Sequence, residues 1–99
     1  MTIYHKITVI GGGAWGTALA SMATRAGREV TLWAREDDVV TSINETHENK
    51  DFLPGITLPE GLRATSKLAD AEGSDVILMV VPAQFVRAVA QDLKSFLKE

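Results

Sequence analysis

The chain of 99 residues contains no cysteine. Disulfides, thiolate metal sites and a cysteine nucleophile are therefore excluded, and the composition fits a reducing compartment. Basic residues are few: 10 Lys and Arg stand against 13 Asp and Glu, for a net charge of −3. With no basic cluster, there is no electrostatic footprint for nucleic acid. No apolar run reaches the length of a membrane span. Met1–Lys6 runs straight into Ile7–Ile10 without a small-residue cleavage site, so no signal peptide is expected and the expected location is cytoplasmic. His5 and His47 lie far apart with no ligand spacing around either, so no metal site is expected. Internal repeats and low-complexity segments are lacking as well. What remains is 45% hydrophobic and 23% charged, the balance of a soluble globular fold. Its length makes one small domain or a part of a larger one.

What is present is organised around residues 7–20. The apolar run Ile7-Thr8-Val9-Ile10 enters Gly11-Gly12-Gly13, and an alanine-rich helical pattern leaves it. Gly11, Gly13 and Gly16 fit G-x-G-x-x-G. Alone the pattern is weak, but here it follows an expected strand and opens an expected helix. On that reading Gly11 permits a tight turn, Gly13 lets the backbone approach a pyrophosphate, and Gly16 lets helix and strand come close. The alternative is a glycine-rich turn with no ligand.

Further along, the patterns alternate. Lys6–Ile10 predicts a β-branched first strand. Ala14–Ala26 predicts a helix with Trp15, Leu19, Met22 and Ala26 on one buried face, its other early positions small enough for a diphosphate to come near. Gly27 suits a helix C-terminus. Glu29–Ala34 reads as the second strand. Glu36-Asp37-Asp38 opens a second helix, which ends near Glu45 or Thr46. His47–Gly61 is irregular, and Phe52-Leu53-Pro54-Gly55 suggests a loop that packs against something. Leu62–Thr65 is a short third strand, and Ser66 is the expected N-cap of a short helix through Glu72. Asp75–Val81 is an unbroken apolar fourth strand, expected to be covered on both faces and ended by Pro82. Gln84–Leu97 forms a last helix with a stripe of Val86, Val89, Leu93 and Phe96 or Leu97. Such alternation predicts the α/β class: a Rossmann-type doubly wound parallel sheet, β-α-β-α-β-α-β-α, with strand order 3-2-1-4. Ligand is expected at the switch point between the first and fourth strands, at their carboxyl ends.

Three side chains are candidates near that point. Many dinucleotide folds place an acid at the end of the second strand. Here Arg35 arrives first, suited to pair with a 2′-phosphate and stack on adenine, which favours NADP or tolerance of both NADP and NAD. The alternative is a surface arginine paired with Glu36 or Asp38. Phe85 reads equally as a border of the cofactor or as core of the last helix. Trp15 flanks the cofactor or packs under the sheet, and Trp33 is core. The lysines after the glycine loop, Lys50, Lys67, Lys94 and Lys98, fall in loop or exposed helix patterns, so no catalytic residue is expected in the chain.

Several segments together resemble the N-terminal part of the NAD(P)-dependent glycerol-3-phosphate dehydrogenases. They are Gly11-Gly12-Gly13-Ala14-Trp15-Gly16-Thr17-Ala18-Leu19-Ala20, Val30-Thr31-Leu32-Trp33-Ala34-Arg35, His47-Glu48-Asn49-Lys50-Asp51-Phe52-Leu53-Pro54-Gly55 and Val81-Pro82-Ala83-Gln84-Phe85. The resemblance implies hydride transfer between NAD(P)H and dihydroxyacetone phosphate, giving sn-glycerol 3-phosphate for phospholipid synthesis. It implies cofactor contacts at Ala14, Trp15, Arg35 and Phe85. The family often carries Ser or Asn where this chain has Ala14, so a side-chain bond to phosphate is lost. Gly12 replaces the usual alanine, which is expected to loosen the turn without blocking it. The resemblance further implies that residues 1–99 are the N-terminal part of the dinucleotide-binding domain. The C-terminal catalytic domain, with its lysine and the site for the small phosphorylated substrate, is then expected beyond Glu99. The chain alone is expected to turn over little, and either to be marginally stable or to form a homodimer through the exposed edge of its fourth strand. A dinucleotide-binding module without chemistry, or a segment of another hydroxyacid dehydrogenase, are the competing readings.

Overall fold

β1 (Lys6–Ile10) has strands on both sides, and this sets the architecture. It pairs in parallel with β2 (Glu29–Trp33), Val9 opposite Leu32, and with β4 (Val76–Met79), Val9 opposite Leu78. β3 (Arg63–Thr65) adds to the far side of β2, so the order is β3-β2-β1-β4. The helices are α1 (Ala14–Arg25), α2 (Asp37–Thr46) and α3 (Ala83–Lys94), with one 3₁₀ turn at Leu68–Ala71 before β4. The fold is a computed structural model that describes residues 5–95. The expected class and strand order are those observed, although the third helical segment is only that short turn.

Alternation along the strands divides the core between the two sheet faces. Val9, Val30 and Leu32 meet Ala20 of α1 and Val39 and Ile43 of α2. Ile10 and Trp33 point the other way, to Ala71, Val89 and Leu93. Each fully buried Ile or Leu contributes about 1.5–3 kcal/mol by removal from water. The two sheet edges are finished differently. On β3, the Asn44 side chain accepts from Ala64 N and donates to Ala64 O, each at 2.9 Å, and occupies the outward backbone groups. The outer edge of β4 carries no further strand among the described residues.

Four expectations need correction. The face of α1 toward the sheet is not the large apolar stripe: Trp15 is 79% exposed, Met22 67% and Leu19 37%, and Ala26 is exposed beyond the helix end. Gly16, Thr17, Ala20 and Ser21 face inward instead, because a helix leaving a tight turn can approach the sheet closely only on small side chains. β4 is not covered on both faces. None of its four residues is fully buried and Leu78 is 37% exposed, because among the described residues β4 is an edge with no helix closing its α1 side. The 3₁₀ turn is not capped by Ser66. Lys67 holds the cap position without a side-chain bond, while the Ser66 carbonyl accepts from Trp33 Nε1 at 3.0 Å. Finally, Val86 is 37% exposed, and half-buried Phe85 joins Val89 and Leu93. Phe96 and Leu97 lie outside the described residues.

The start of β4 is tied to the start of β1. Asp75 Oδ2 accepts from His5 N at 2.9 Å and Lys6 N at 3.0 Å. These bonds, Lys6 first, hold the exposed carboxyl below its ordinary value.

Candidate functional site

The carboxyl ends of β1, β2 and β4 open into one cleft of about 640 Å³. This is the size of a small-molecule site, at the switch point where the sheet order reverses. All seven candidate residues line it: Gly11, Gly13, Ala14, Trp15, Gly16, Arg35 and Phe85. The structure thus brings together positions as far apart in the sequence as Gly11 and Phe85.

Its floor is backbone. Gly11 has φ +134°, in the region that favours glycine, and a Cβ there would enter the Val80 carbonyl of the segment leaving β4. A Cβ on Gly16 would enter the Gly11 carbonyl, so this glycine lets α1 close onto the turn itself. Gly12 does more than loosen the turn. A Cβ there would stand 2.5 Å from Ala34 Cβ, so the glycine lets the end of β2 come alongside. At Gly13 the situation reverses, because a Cβ would meet nothing within 4 Å. That open space is where a ligand can approach the main chain.

The electrostatics favour an anion. Gly13 caps α1 without a side-chain bond, and the first turn of α1 carries no acid. Its positive end is left for a ligand. α2 is the contrast, with Asp37 and Asp38 in its own first turn. Arg35 lies beyond the end of β2 with its guanidinium 4.8 Å from the centroid of the Phe85 ring. That stack crosses the cleft mouth from the β2 side to the α3 side, and it replaces the alternative ion pair with Glu36 or Asp38. Phe85 is both a cleft wall and a partner of the α3 core. Trp15 stands at the cleft rim, and Trp33 is core at 8% exposure.

Two contributors escaped the sequence reading. Phe52, 44% exposed, lines the cleft from the long loop. Asn49 is fully buried and reaches the glycine turn, donating from Nδ2 to Gly12 O at 2.8 Å. The Pro-Gly pair after Phe52-Leu53 signalled a packed loop, but no local pattern distinguishes a buried Asn from a turn former.

Arg35 and Glu36 are the charged side chains on the cleft wall. Lys50, Lys67 and Lys94 are exposed, and Lys98 lies outside the described residues. Among the described residues no group of His, Cys, Asp or Glu could hold a metal ion. No helix there is long and apolar enough to cross a membrane. The arrangement is suited to holding an extended anionic ligand, with a cation at one end and apolar rings along its walls.

Known proteins are similar to this chain in sequence and fold. The glycerol-3-phosphate dehydrogenase [NAD(P)+] of Paramagnetospirillum magneticum is 62% identical over 88 residues, 89% of this chain and 32% of the relative. That of Parvibaculum lavamentivorans is 58% identical over 90 residues, 91% of this chain and 27% of the relative. A solved glycerol-3-phosphate dehydrogenase from Coxiella burnetii superposes with a TM-score of 0.89 at 36% identity, over 97% of this chain and 30% of that one. The chain thus spans about a third or less of the lengths it matches. The family model described as NAD-dependent glycerol-3-phosphate dehydrogenase N-terminus matches residues 6–99. The chain belongs to the NAD-dependent glycerol-3-phosphate dehydrogenase family, and corresponds to its N-terminal part.

Proposed function

We propose that the cleft binds NADP or NAD and that residues 1–99 are the cofactor-binding segment of a glycerol-3-phosphate dehydrogenase. The observation that carries this reading is the conjunction of open space at Gly13 with an uncompensated α1 N-terminus and Arg35 at the far wall. Gly11, Gly13, Ala14 and Gly16 would face the diphosphate, with main-chain amides replacing a side-chain bond at Ala14. Arg35 would leave Phe85 to pair with a 2′-phosphate and stack on the adenine, and Trp15 and Phe85 would flank the dinucleotide. When bound, the cofactor supplies or accepts the hydride. This chain's residues bind and orient it and keep apolar surface along its path.

For the parent protein we propose reduction of dihydroxyacetone phosphate to sn-glycerol 3-phosphate, a cytoplasmic reaction supplying phospholipid synthesis. The names of the relatives, glycerol-3-phosphate dehydrogenase [NAD(P)+], support the dehydrogenase part of that reading. Among the described residues the charged groups on the cleft wall are Arg35 and Glu36, and their proposed part is at the cofactor. Titration calorimetry with NADPH, NADH and AMP tests the cofactor step. Both dinucleotides are expected to bind more tightly than AMP, and the absence of that preference would reduce the chain to a structural module. The half-exposed edge of β4 supports a second reading, a homodimer of the 99 residues joined edge to edge. Sedimentation of wild type and Leu78→Lys should show self-association only in the former. A wild-type monomer at high concentration removes that reading.

A further inference from the structure

Asn49 has no solvent exposure, yet it is a polar residue in a loop. Burial of an amide is tolerated only when its hydrogen bonds are made. Both Nδ2 hydrogens are used: Nδ2 donates to Gly12 O and to Thr17 Oγ1, each at 2.8 Å. Thr17 is itself fully buried on the first turns of α1. Asn49 Oδ1 accepts from Phe52 N at 3.2 Å. One side chain therefore joins three parts of the cleft: the glycine turn, the start of α1 and the loop that carries Phe52.

The direction of the Gly12 bond matters. The Gly12 carbonyl and the Gly13 N–H belong to one peptide unit. That unit is planar and trans, as are the other peptide bonds among the described residues, so its C=O and N–H point opposite ways. Asn49 draws the carbonyl inward. The Gly13 N–H is thereby turned away from Asn49, on a residue where an added Cβ would meet nothing within 4 Å. With the peptide flipped, the carbonyl would instead face an anion. An apolar residue of similar volume would fill the same buried space, but it would leave Phe52 N without its acceptor and the Gly12 carbonyl with only the longer bond from Thr17 Oγ1, at 3.5 Å.

We infer that Asn49 is a positioning residue for the diphosphate of the cofactor, fixing the Gly12–Gly13 peptide with its N–H toward the ligand and holding Phe52 at the cleft wall. This rests on the dinucleotide reading above. Loop anchoring alone would weaken every ligand of the cleft alike. Orientation of this peptide should weaken only ligands that reach the diphosphate position.

The test uses the intact protein with Asn49→Ala and Thr17→Val, titrated with NADPH, NADH and adenosine 2′-monophosphate, which presents the Arg35 end without a diphosphate. Melting temperatures report folding. Asn49→Ala is expected to weaken both dinucleotides about tenfold, the equivalent of one hydrogen bond at the upper end of its net worth, and to leave adenosine 2′-monophosphate within about twofold. Thr17→Val keeps the shape and removes both the acceptor of one Asn49 hydrogen and the 3.5 Å bond from Thr17 Oγ1 to Gly12 O, while the Asn49 bond to Gly12 O remains, so about a threefold loss in the same direction is expected. Equal loss for all three ligands, or wild-type dinucleotide affinity in a folded Asn49→Ala, overturns the assignment. If Asn49→Ala does not fold, Thr17→Val decides by the same criteria. If neither folds, the pair is a structural brace and the assignment fails. A wild type that binds neither dinucleotide defeats the cofactor reading itself, an outcome distinct from a wild type that binds and variants that match it.

Discussion

On one side of the cleft, Gly11, Gly12 and Gly16 stand where a single added carbon meets neighbouring atoms, the Val80 carbonyl, Ala34 Cβ and the Gly11 carbonyl respectively. On the other side, Arg35 is exposed and its contact is the face of one aromatic ring. The first wall is fixed by main chain wedged between three strand ends. The second is a pair of side chains free to part. A wall of the first kind sets where a ligand must lie. A wall of the second kind can decide between ligands, because exchanging an exposed Arg–ring stack for an Arg–phosphate pair costs about 0.5–1 kcal/mol of cation–π attraction and returns a charge-assisted bond worth about 1.5–3 kcal/mol.

Breaking the first wall should have the largest effect. Gly16→Ala drives a methyl into a backbone carbonyl that cannot rotate aside, and should destabilise the fold by about 3 kcal/mol. Denaturant unfolding checks it, and a loss below about 1 kcal/mol would mean that the turn yields. Changing the second wall should leave stability nearly intact and alter selectivity instead. Arg35→Asp should lower the ratio of NADPH to NADH affinity at least tenfold, about 1.4 kcal/mol, because a cation is replaced by an acid at the proposed 2′-phosphate. An unchanged ratio in calorimetry removes Arg35 from cofactor choice.

The smallest effect lies away from both walls, at Asp75. Its carboxyl is held below the ordinary value of 3.8 in the folded chain, so the unfolded chain binds the proton more readily. The stabilisation is complete above that ordinary value and is lost as pH falls through the lower folded one. Asp75→Asn should therefore flatten the acid limb of the stability profile below about pH 4 and leave the ligand affinities of both walls unchanged. Acid unfolding followed by circular dichroism reads it, and an acid limb identical to wild type would remove Asp75 as its source.

The first wall was the more legible in sequence. β-branched residues ending in Gly11, and a small-residue run after Gly13, record the physical needs of the turn directly. Arg35 was legible as a position, but its stack on Phe85 depends on a residue of the last helix, far along the chain. Helical spacing misled at Trp15, Leu19 and Met22 because it identifies an apolar face, and here a second, smaller face made the contact with the sheet. β4 misled for a related reason. Val76-Ile77-Leu78-Met79 records the chemistry of the side chains and carries no information about which neighbours they have. Asn49 was the hardest, since its partners Gly12 and Thr17 lie 37 and 32 positions earlier. Its two neighbours in sequence are charged, like those of any surface Asn.

The bond from His5 N to Asp75 spans 70 positions, and this has a kinetic meaning. β1 and β2 can meet across one short helix, whereas joining β4 to β1 requires closing most of the chain into a loop. Such closures are entropically costly and come late. The Val80 carbonyl that confines Gly11, and the Pro82–Phe85 side of the cleft, arrive with β4. The cleft is therefore completed by the last strand to dock. A ligand that bridges the glycine turn and Phe85 binds only the docked form, so its free energy of binding adds directly to the free energy of that final step.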